Sequence, residues 1–227
     1  MKIKIGVPSK GRLRKDVLKL FKKNKYILIS ERGERDYFAK IKNKKNIEII
    51  YLHAREIIER LSDNTLDIGF SGFDLLKEAS TSIQKKISVA KKYHFGNANL
   101  VIAVPNKWID VQTIADLEEV AFEFTDKKKK RLRVATKYPN LTRDFLFSKG
   151  VTQFKLVNSL GATETYPFTG SSEIISDITS SGETLKANNL RILKDGIILN
   201  SFACILTSKK SSKKINKSKI IKLFTNN

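Results

Sequence analysis

Two stretches of this 227-residue chain repeat one rhythm: a short apolar strand, a loop with glycine or proline, then apolar residues at helical spacing. Ile3, Ile5 and Val7 alternate as a strand does, and Pro8-Ser9-Lys10-Gly11-Arg12 interrupts them. Leu13, Val17, Leu20 and Phe21 then recur at the interval of one helix face. Residues 47–52 read as a second strand, followed by a short helix with Ile57, Ile58 and Leu61 on one side. Leu66-Asp67-Ile68-Gly69-Phe70 reads as a third, entering Ser71-Gly72-Phe73-Asp74. Parallel strands need such helical crossovers, so the rhythm predicts a largely parallel sheet covered by helices. Near residue 93 it restarts, with strands at 100–104, 133–136 and 154–157 and a helix over 142–149. Residues 197–206 read as one long strand able to carry the chain back to the first unit. The expected class is therefore α/β, in two α/β lobes with a cleft between them and the first lobe discontinuous. The expected boundaries are 1–93 plus 186–208 for the first lobe, 94–185 for the second, and a basic tail over 209–227.

Composition narrows what such lobes could do. Hydrophobic residues make up 41% of the chain, enough for packed cores, and no apolar run is long enough to span a bilayer as a helix. A start of Met1-Lys2-Ile3-Lys4-Ile5 lacks the apolar core of a signal peptide, so a cytoplasmic protein is expected. One cysteine, Cys204, excludes an intrachain disulfide, and two histidines leave no ligands for a structural zinc cluster. The net charge of +21 invites a nucleic-acid reading. Lysine supplies most of it, however, and the charge concentrates in 127–133, expected as a loop, and in the tail, where only Ile220, Ile221, Leu223 and Phe224 are apolar. Neither zinc-finger spacing nor an aromatic RNA-binding signature accompanies it, so no specific nucleic-acid partner is expected.

Residues 161–185 carry the chemistry. Asp177 stands five residues before Gly182, and Ser180, Ser181 and Thr184 place hydroxyls on both sides of that glycine. Backbone N–H groups of a glycine turn form a concave anion site, and a carboxylate accepts hydrogen bonds from sugar hydroxyls, so the pattern suits a phosphorylated sugar. Alone, such a loop also suits an ordinary helix cap. Lys10-Gly11-Arg12, between a strand and a helix, suits an anion, but taken alone it suits a solvated basic turn better. Asp67-Ile68-Gly69-Phe70-Ser71-Gly72-Phe73-Asp74 suits a ligand-facing loop or a tight turn.

Taken together and in order, these segments resemble the ATP phosphoribosyltransferase family, which begins histidine biosynthesis. The matching residues are Lys10-Gly11-Arg12-Leu13, Asp67-Ile68-Gly69 with Gly72 and Asp74, and Arg133-Val134-Ala135-Thr136-Lys137-Tyr138-Pro139-Asn140. Next comes Glu164 with Gly170, Asp177, Ser181-Gly182, Thr184-Leu185 and Ala187-Asn188-Asn189-Leu190. Glu173 stands where the family usually has Asp, Ser181 replaces a common Thr, and residues 120–130 look like an insertion. The length matches the family's short form, which lacks a C-terminal regulatory domain.

The resemblance implies a periplasmic-binding-protein-like (type II) fold and a pentosyl transfer. The phosphoribosyl group of phosphoribosyl pyrophosphate (PRPP) passes to N1 of ATP and pyrophosphate leaves. It assigns PRPP to Glu164, Asp177, Ser180, Ser181, Gly182, Glu183 and Thr184. Lys10, Arg32 and Arg55 fall at the pyrophosphate or ATP phosphates as catalytic cations, and Arg12, Gly72 and Asp74 at the nucleotide. Mg²⁺ is expected on the substrate phosphates rather than in a protein site. The implied partner is a histidyl-tRNA synthetase-like regulatory subunit in a hetero-octamer, with a homodimer when the chain is alone. The alternative is a cytoplasmic small-anion-binding protein of the same bilobal fold that performs no chemistry.

Overall fold

The computed structural model describes residues 2–30, 36–210, 222 and 224. In chain order the elements are β1 (Ile3–Pro8), α1 (Gly11–Lys23), β2 (Leu28–Ile29), β3 (Phe38–Ile41), β4 (Lys44–Leu52), α2 (Ala54–Ser62), β5 (Ile68–Gly72), α3 (Phe73–Glu78), α4 (Thr81–Gln84) and β6 (Ile87–Lys92). Then follow β7 (Ala98–Pro105), α5 (Ile114–Lys128), β8 (Leu132–Thr136), α6 (Pro139–Ser148), β9 (Phe154–Asn158), β10 (Ile174–Thr179), α7 (Glu183–Ala187), β11 (Leu190–Ser201) and β12 (Ala203–Ser208). The chain divides into two units, one holding residues up to Asn97 and from Phe202 onward, the other Ala98–Ser201.

The first unit is built on a sheet ordered β2-β3-β4-β1-β5-β12-β6. Its centre, β4-β1-β5, is parallel, while β3 pairs antiparallel with β4 and β12 antiparallel with both β5 and β6. The pleat sends alternate side chains to opposite faces. Ile5, Val7, Ile49, Ile68 and Phe70 pack with Val17 and Phe21 of α1. On the other side Ile57, Ile58 and Leu61 of α2 pack with Leu66, Leu76 and Leu206. Burying each of these aliphatic side chains contributes about 1.5–3 kcal/mol. The α2 side chains press onto bare backbone, since a Cβ on Gly69 would lie 2.3 Å from Ile57 Cγ2.

The second unit is built on a sheet ordered β11-β7-β10-β8-β9. Here β9, β8 and β10 run parallel, and β7 joins β10 to β11 by antiparallel pairing. The continuous apolar run of β7 is buried on both faces, as expected of an interior strand.

Three expectations change. Residues 186–201, assigned from sequence to the first lobe, lie in the second unit because β11 pairs with β7, and the chain returns only at Phe202. The single strand expected over 197–206 is two strands, each in its own sheet. Residues 120–128 are the last turns of α5, and the run expected as a loop is helical as far as Lys128. Ion pairs between Glu123 and Lys127 (2.7 Å) and between Asp126 and Lys129 (3.9 Å) offset its like charges at helical spacing.

Within the basic tail, Phe224 is 1% exposed and meets Phe21, Phe70 and Tyr26 at centroid distances of 5.2, 5.1 and 6.1 Å. Removing such a ring leaves a cavity in the first unit's core. Phe224→Ala is expected to cost about 3–5 kcal/mol, read as a lower urea midpoint. Truncation after Lys210 should match or exceed that loss, and an unchanged midpoint in both would show that the ring anchors nothing.

Candidate active site

The sequence-predicted residues fall into two sets, one on each unit, each at the C-terminal edge of parallel strands. In the first unit that edge collects the turns after β1, β4 and β5. Lys10 caps α1 through an extended backbone (φ −154°), and its side chain is exposed. Gly11 adopts φ +83°, a left-handed conformation that glycine takes without strain. Arg12 donates to the Asn97 carbonyl at 3.2 Å. Arg55 opens α2 and is exposed, its backbone N–H capped by His53 Nδ1 at 3.4 Å. Ser71 donates to the Ala54 carbonyl at 3.0 Å and so ties the end of β5 to the start of α2. Arg32 lies outside the described residues.

Gly72 and Asp74 serve the fold at this edge. The Asp74 side chain is 6% exposed and folds back over Gly72, where a Cβ would stand 2.2 Å from Asp74 Oδ1. The glycine is therefore required by the buried carboxylate, and Asp74 is turned inward.

Lys10 lines a cavity of about 640 Å³ with Ser9, Arg14, Tyr51 and His53. Arg12 and Arg55 lie off this cavity, whereas Arg14 and Tyr51 had not been singled out from sequence. The Arg14 guanidinium sits 5.3 Å from the Tyr51 ring centroid, and its Nε is buried without a hydrogen-bond partner. Burial raises the Tyr51 pKa, and the Arg14 charge opposes that shift. Arg14 immediately follows the matched Lys10-Gly11-Arg12-Leu13, which was the available signal.

In the second unit the edge collects the turns after β8, β9 and β10. Asp177 is half-buried on β10, and its Oδ1 accepts the Ile178 N–H at 2.8 Å. Burial raises its carboxyl pKa, the Ile178 N–H, Lys137 and Thr163 lower it, and the neighbouring Glu164 charge raises it again. Glu164 sits in a 3-10 turn, Thr163–Thr165, anchored by the buried Thr163 hydroxyl 2.9 Å from Ser159 Oγ. Thus Asp177, Glu164, Thr163 and Lys137 converge. Lys137 and Thr163 were absent from the predicted site, although Lys137 belongs to a matched segment.

Beyond β10 the chain turns through Gly182 at φ +76°. The Gly182 N–H donates to Thr179 Oγ1 at 2.9 Å and the Glu183 N–H to Ser181 Oγ at 3.4 Å. Nothing lies within 4 Å of where a Gly182 Cβ would stand, so the loop presents open backbone. Ser180, Ser181, Glu183 and Thr184 are exposed around it. Beneath, Thr142 donates to Ser176 Oγ at 2.9 Å and Tyr138 N–H to Thr136 Oγ1 at 2.9 Å, a buried network holding the β8–α6 turn against β10. An exposed hydroxyl-and-backbone loop beside a carboxylate pair and a lysine suits a phosphate attached to a polyol.

Comparison with known proteins agrees with this chemistry. A family model described as ATP phosphoribosyltransferase matches residues 53–226. ATP phosphoribosyltransferase of Brucella melitensis biotype 2 is 40% identical over 212 residues, covering 93% of this chain and 92% of that one. The Nitrobacter winogradskyi enzyme of the same name is 45% identical over 207 residues, 91% of this chain but 64% of that one, so the chain spans less than two thirds of that relative. Among solved structures, an ATP phosphoribosyl transferase (HisG:HisZ) complex from Thermotoga maritima aligns with a TM-score of 0.73 at 25% identity, covering 97% of this chain and 94% of that one. The GluR0 ligand-binding core aligns at 0.57 with 13% identity, covering 99% and 92%, a likeness of fold alone and of the two-lobed, binding-protein kind expected from sequence.

The raised Asp177 pKa fixes a sign. Folding favours its protonated form, so this group's contribution is fully present below the unfolded carboxylate pKa and is lost as pH rises through the higher folded value. Asp177→Asn is therefore expected to hold or raise the melting temperature at neutral pH, with the gain shrinking in acid. A melting temperature that falls at neutral pH would contradict the dominance of burial.

Proposed function

The chain belongs to the ATP phosphoribosyltransferase family, and on that premise we propose that it transfers the phosphoribosyl group of PRPP to N1 of ATP. The observation that carries this reading is the open, left-handed turn at Gly182 beside Asp177 and Glu164. In the reaction N1 of adenine forms a bond to C1 of the ribose as the bond from C1 to the pyrophosphate oxygen breaks. Positive charge develops on the ribose ring and negative charge on the departing pyrophosphate. Positioning and charge stabilisation therefore matter more than a strong base.

In this reading the 180–184 loop seats the 5′-phosphate through backbone and the Ser180, Ser181 and Thr184 hydroxyls. Asp177 accepts hydrogen bonds from the ribose hydroxyls, and its charge with that of Glu164 favours the cationic ring. The Ile178 N–H and the Lys137 charge oppose the effect of burial on Asp177 and favour its ionised form. In the first unit Lys10, Arg32 and Arg55 offer cations to the pyrophosphate and ATP phosphates. Arg14 adds a fourth, lining the same cavity as Lys10. Arg12 assists at the nucleotide, and Gly72 and Asp74 hold the turn beside it.

Mg²⁺ on the substrate phosphates would neutralise the charge that departs. The donor set fits that arrangement, since Asp177 and Glu164 are neighbouring carboxylates that could ligate such an ion together with phosphate oxygens and waters. The described helices include none long and apolar enough to cross a membrane. A cytoplasmic activity goes with this reading, because such highly charged substrates do not cross a membrane unaided. The likeness to the Thermotoga maritima complex supports a partner subunit, and the family resemblance suggests that it is a histidyl-tRNA synthetase-like regulatory subunit in a hetero-octamer, with a homodimer in its absence.

The decisive experiment mixes the chain with ATP, PRPP and Mg²⁺, with and without that subunit, and follows phosphoribosyl-ATP. Binding without product would leave only an anion-binding protein. Gly182→Val and Asp177→Asn should each lower turnover at least tenfold, about 1.4 kcal/mol of lost transition-state stabilisation. Wild-type kinetics in both folded variants would remove the loop from the site. Histidine should inhibit the complex strongly and the isolated chain weakly, and cooperative inhibition of the chain alone would refute the need for a partner.

A further inference from the structure

The last turn of α5, the bend before β8 and the start of β9 enclose a second cavity, of about 740 Å³, within the second unit. Lys128, Lys130, Arg131, Arg133 and Lys155 line it, with Phe124 and a single carboxylate, Glu173. That carboxylate is fully engaged by Arg133. Its Oε1 accepts from Nη2 at 2.6 Å, and its Oε2 accepts the Arg133 backbone N–H at 2.7 Å. The nearby acids of α5 are committed to lysines off the cavity, Glu123 to Lys127 and Asp126 to Lys129. Among the described residues no carboxylate pairs with Lys128, Lys130, Arg131 or Lys155. The Lys128 ammonium lies 3.7 Å from the Phe124 ring centroid, so that ring face is already covered by a cation.

The four cations are exposed and make no ion pair among the described residues, yet they line one concavity rather than an open face. A cavity of this volume is about 11 Å across, close to the Debye length of about 8 Å at physiological salt, so the charges act on a common occupant. The volume falls within the range of small-molecule sites. Because Lys128 covers the aromatic ring, recognition comes from charge rather than from stacking on a base. The cavity opens at the N-terminal ends of β8, β9 and β10, whereas the 180–184 loop follows the C-terminal end of β10. Six residues of strand separate the two by about 15–20 Å, so one anion does not reach both.

We propose that this cavity is a second anion site on the chain, separate from the 180–184 loop, that takes a compact oligophosphate. The chemistry is two or more linked phosphate groups, carried by inorganic polyphosphate or by the tail of a nucleotide. The site is independent of the transfer reaction, and its existence does not depend on the proposed function.

The test is calorimetric titration of the full chain with inorganic tripolyphosphate at low and physiological salt. Three proteins are compared: wild type, the triple variant Lys130→Gln, Arg131→Gln, Lys155→Gln, and Gly182→Val. Wild type should show one class of site at the cavity beside those of the 180–184 loop and of the first unit's cations. The triple variant should lose one class or weaken it at least tenfold while keeping the class that Gly182→Val removes, and Gly182→Val should do the reverse. ATP binding to the cavity within about threefold of tripolyphosphate, with AMP at least tenfold weaker, would show that linked phosphates suffice. Relief of uncompensated repulsion should leave the triple variant at least as thermostable as wild type, which separates lost binding from lost folding. The proposal is overturned if the triple variant titrates like wild type or if AMP binds as well as tripolyphosphate. It is also overturned if RNA oligomers bind there with affinity that rises with length, which would mark a nucleic-acid surface instead.

Discussion

A parallel strand pair cannot be joined by a tight turn, and that restriction organises both units. Each parallel strand must be followed by a crossover that returns the chain to the opposite end of the sheet. Every crossover therefore begins at the same edge. In the first unit the turns after β4, β1 and β5 gather there, bringing Arg55, Lys10, Arg12 and Gly72 to one side of the sheet. In the second unit the turns after β9, β8 and β10 gather likewise and bring Glu164, Lys137 and the 180–184 loop together. Residues far apart in sequence become neighbours because backbone hydrogen bonding leaves few other routes for the chain, and ligands collect at such edges for that reason.

The central strands were legible because burial on both faces leaves a plain apolar signature, as in β1, β5, β7 and β8. The Gly182 turn was legible because few residues other than glycine tolerate its φ. Other features were hidden for physical reasons. β3 is partly polar and lies toward the sheet edge, so it carries a weaker pattern than β4, whose residues 47–52 did read as a strand. The end of α5 was masked by its lysines, since the ion pairs that support the helix depend on i,i+3 and i,i+4 spacing more than on composition. The break between β11 and β12 falls at Phe202, inside a run whose apolar character continues across two sheets. Asp74 read as ligand-facing from its place after a strand, and only its 6% exposure and its closeness to Gly72 show that it faces inward.

The site residues that sequence missed share a cause: each acts through a neighbour. Thr163 is wholly buried and serves Asp177 and Ser159, Thr136 and Thr142 hold a turn, and Arg14 gains its character from Tyr51 and a buried Nε. Such groups have no motif of their own, because their effect comes from a low-dielectric setting that only packing creates. That setting makes opposite demands on Asp177. Burial favours its neutral form, whereas the Ile178 N–H, Lys137 and Thr163 favour the ionised one.

Charge obeys the same division between what is compensated and what is not. The formal +21 is spread over the chain, and several of its exposed lysines have an acid three or four residues away. Those pairs are weak individually but leave little unbalanced field. Glu173 shows how a single residue alters the balance. By holding both the side chain and the backbone N–H of Arg133, it fixes the starts of β8 and β10 together. It is the one carboxylate lining the cavity around which Lys128, Lys130, Arg131 and Lys155 stand, so cations outnumber acids at that end of the sheet. The other end of the same strands carries Asp177 and Glu164 beside Lys137. The direction of the parallel strands thus decides which set of charged side chains each end of the sheet receives.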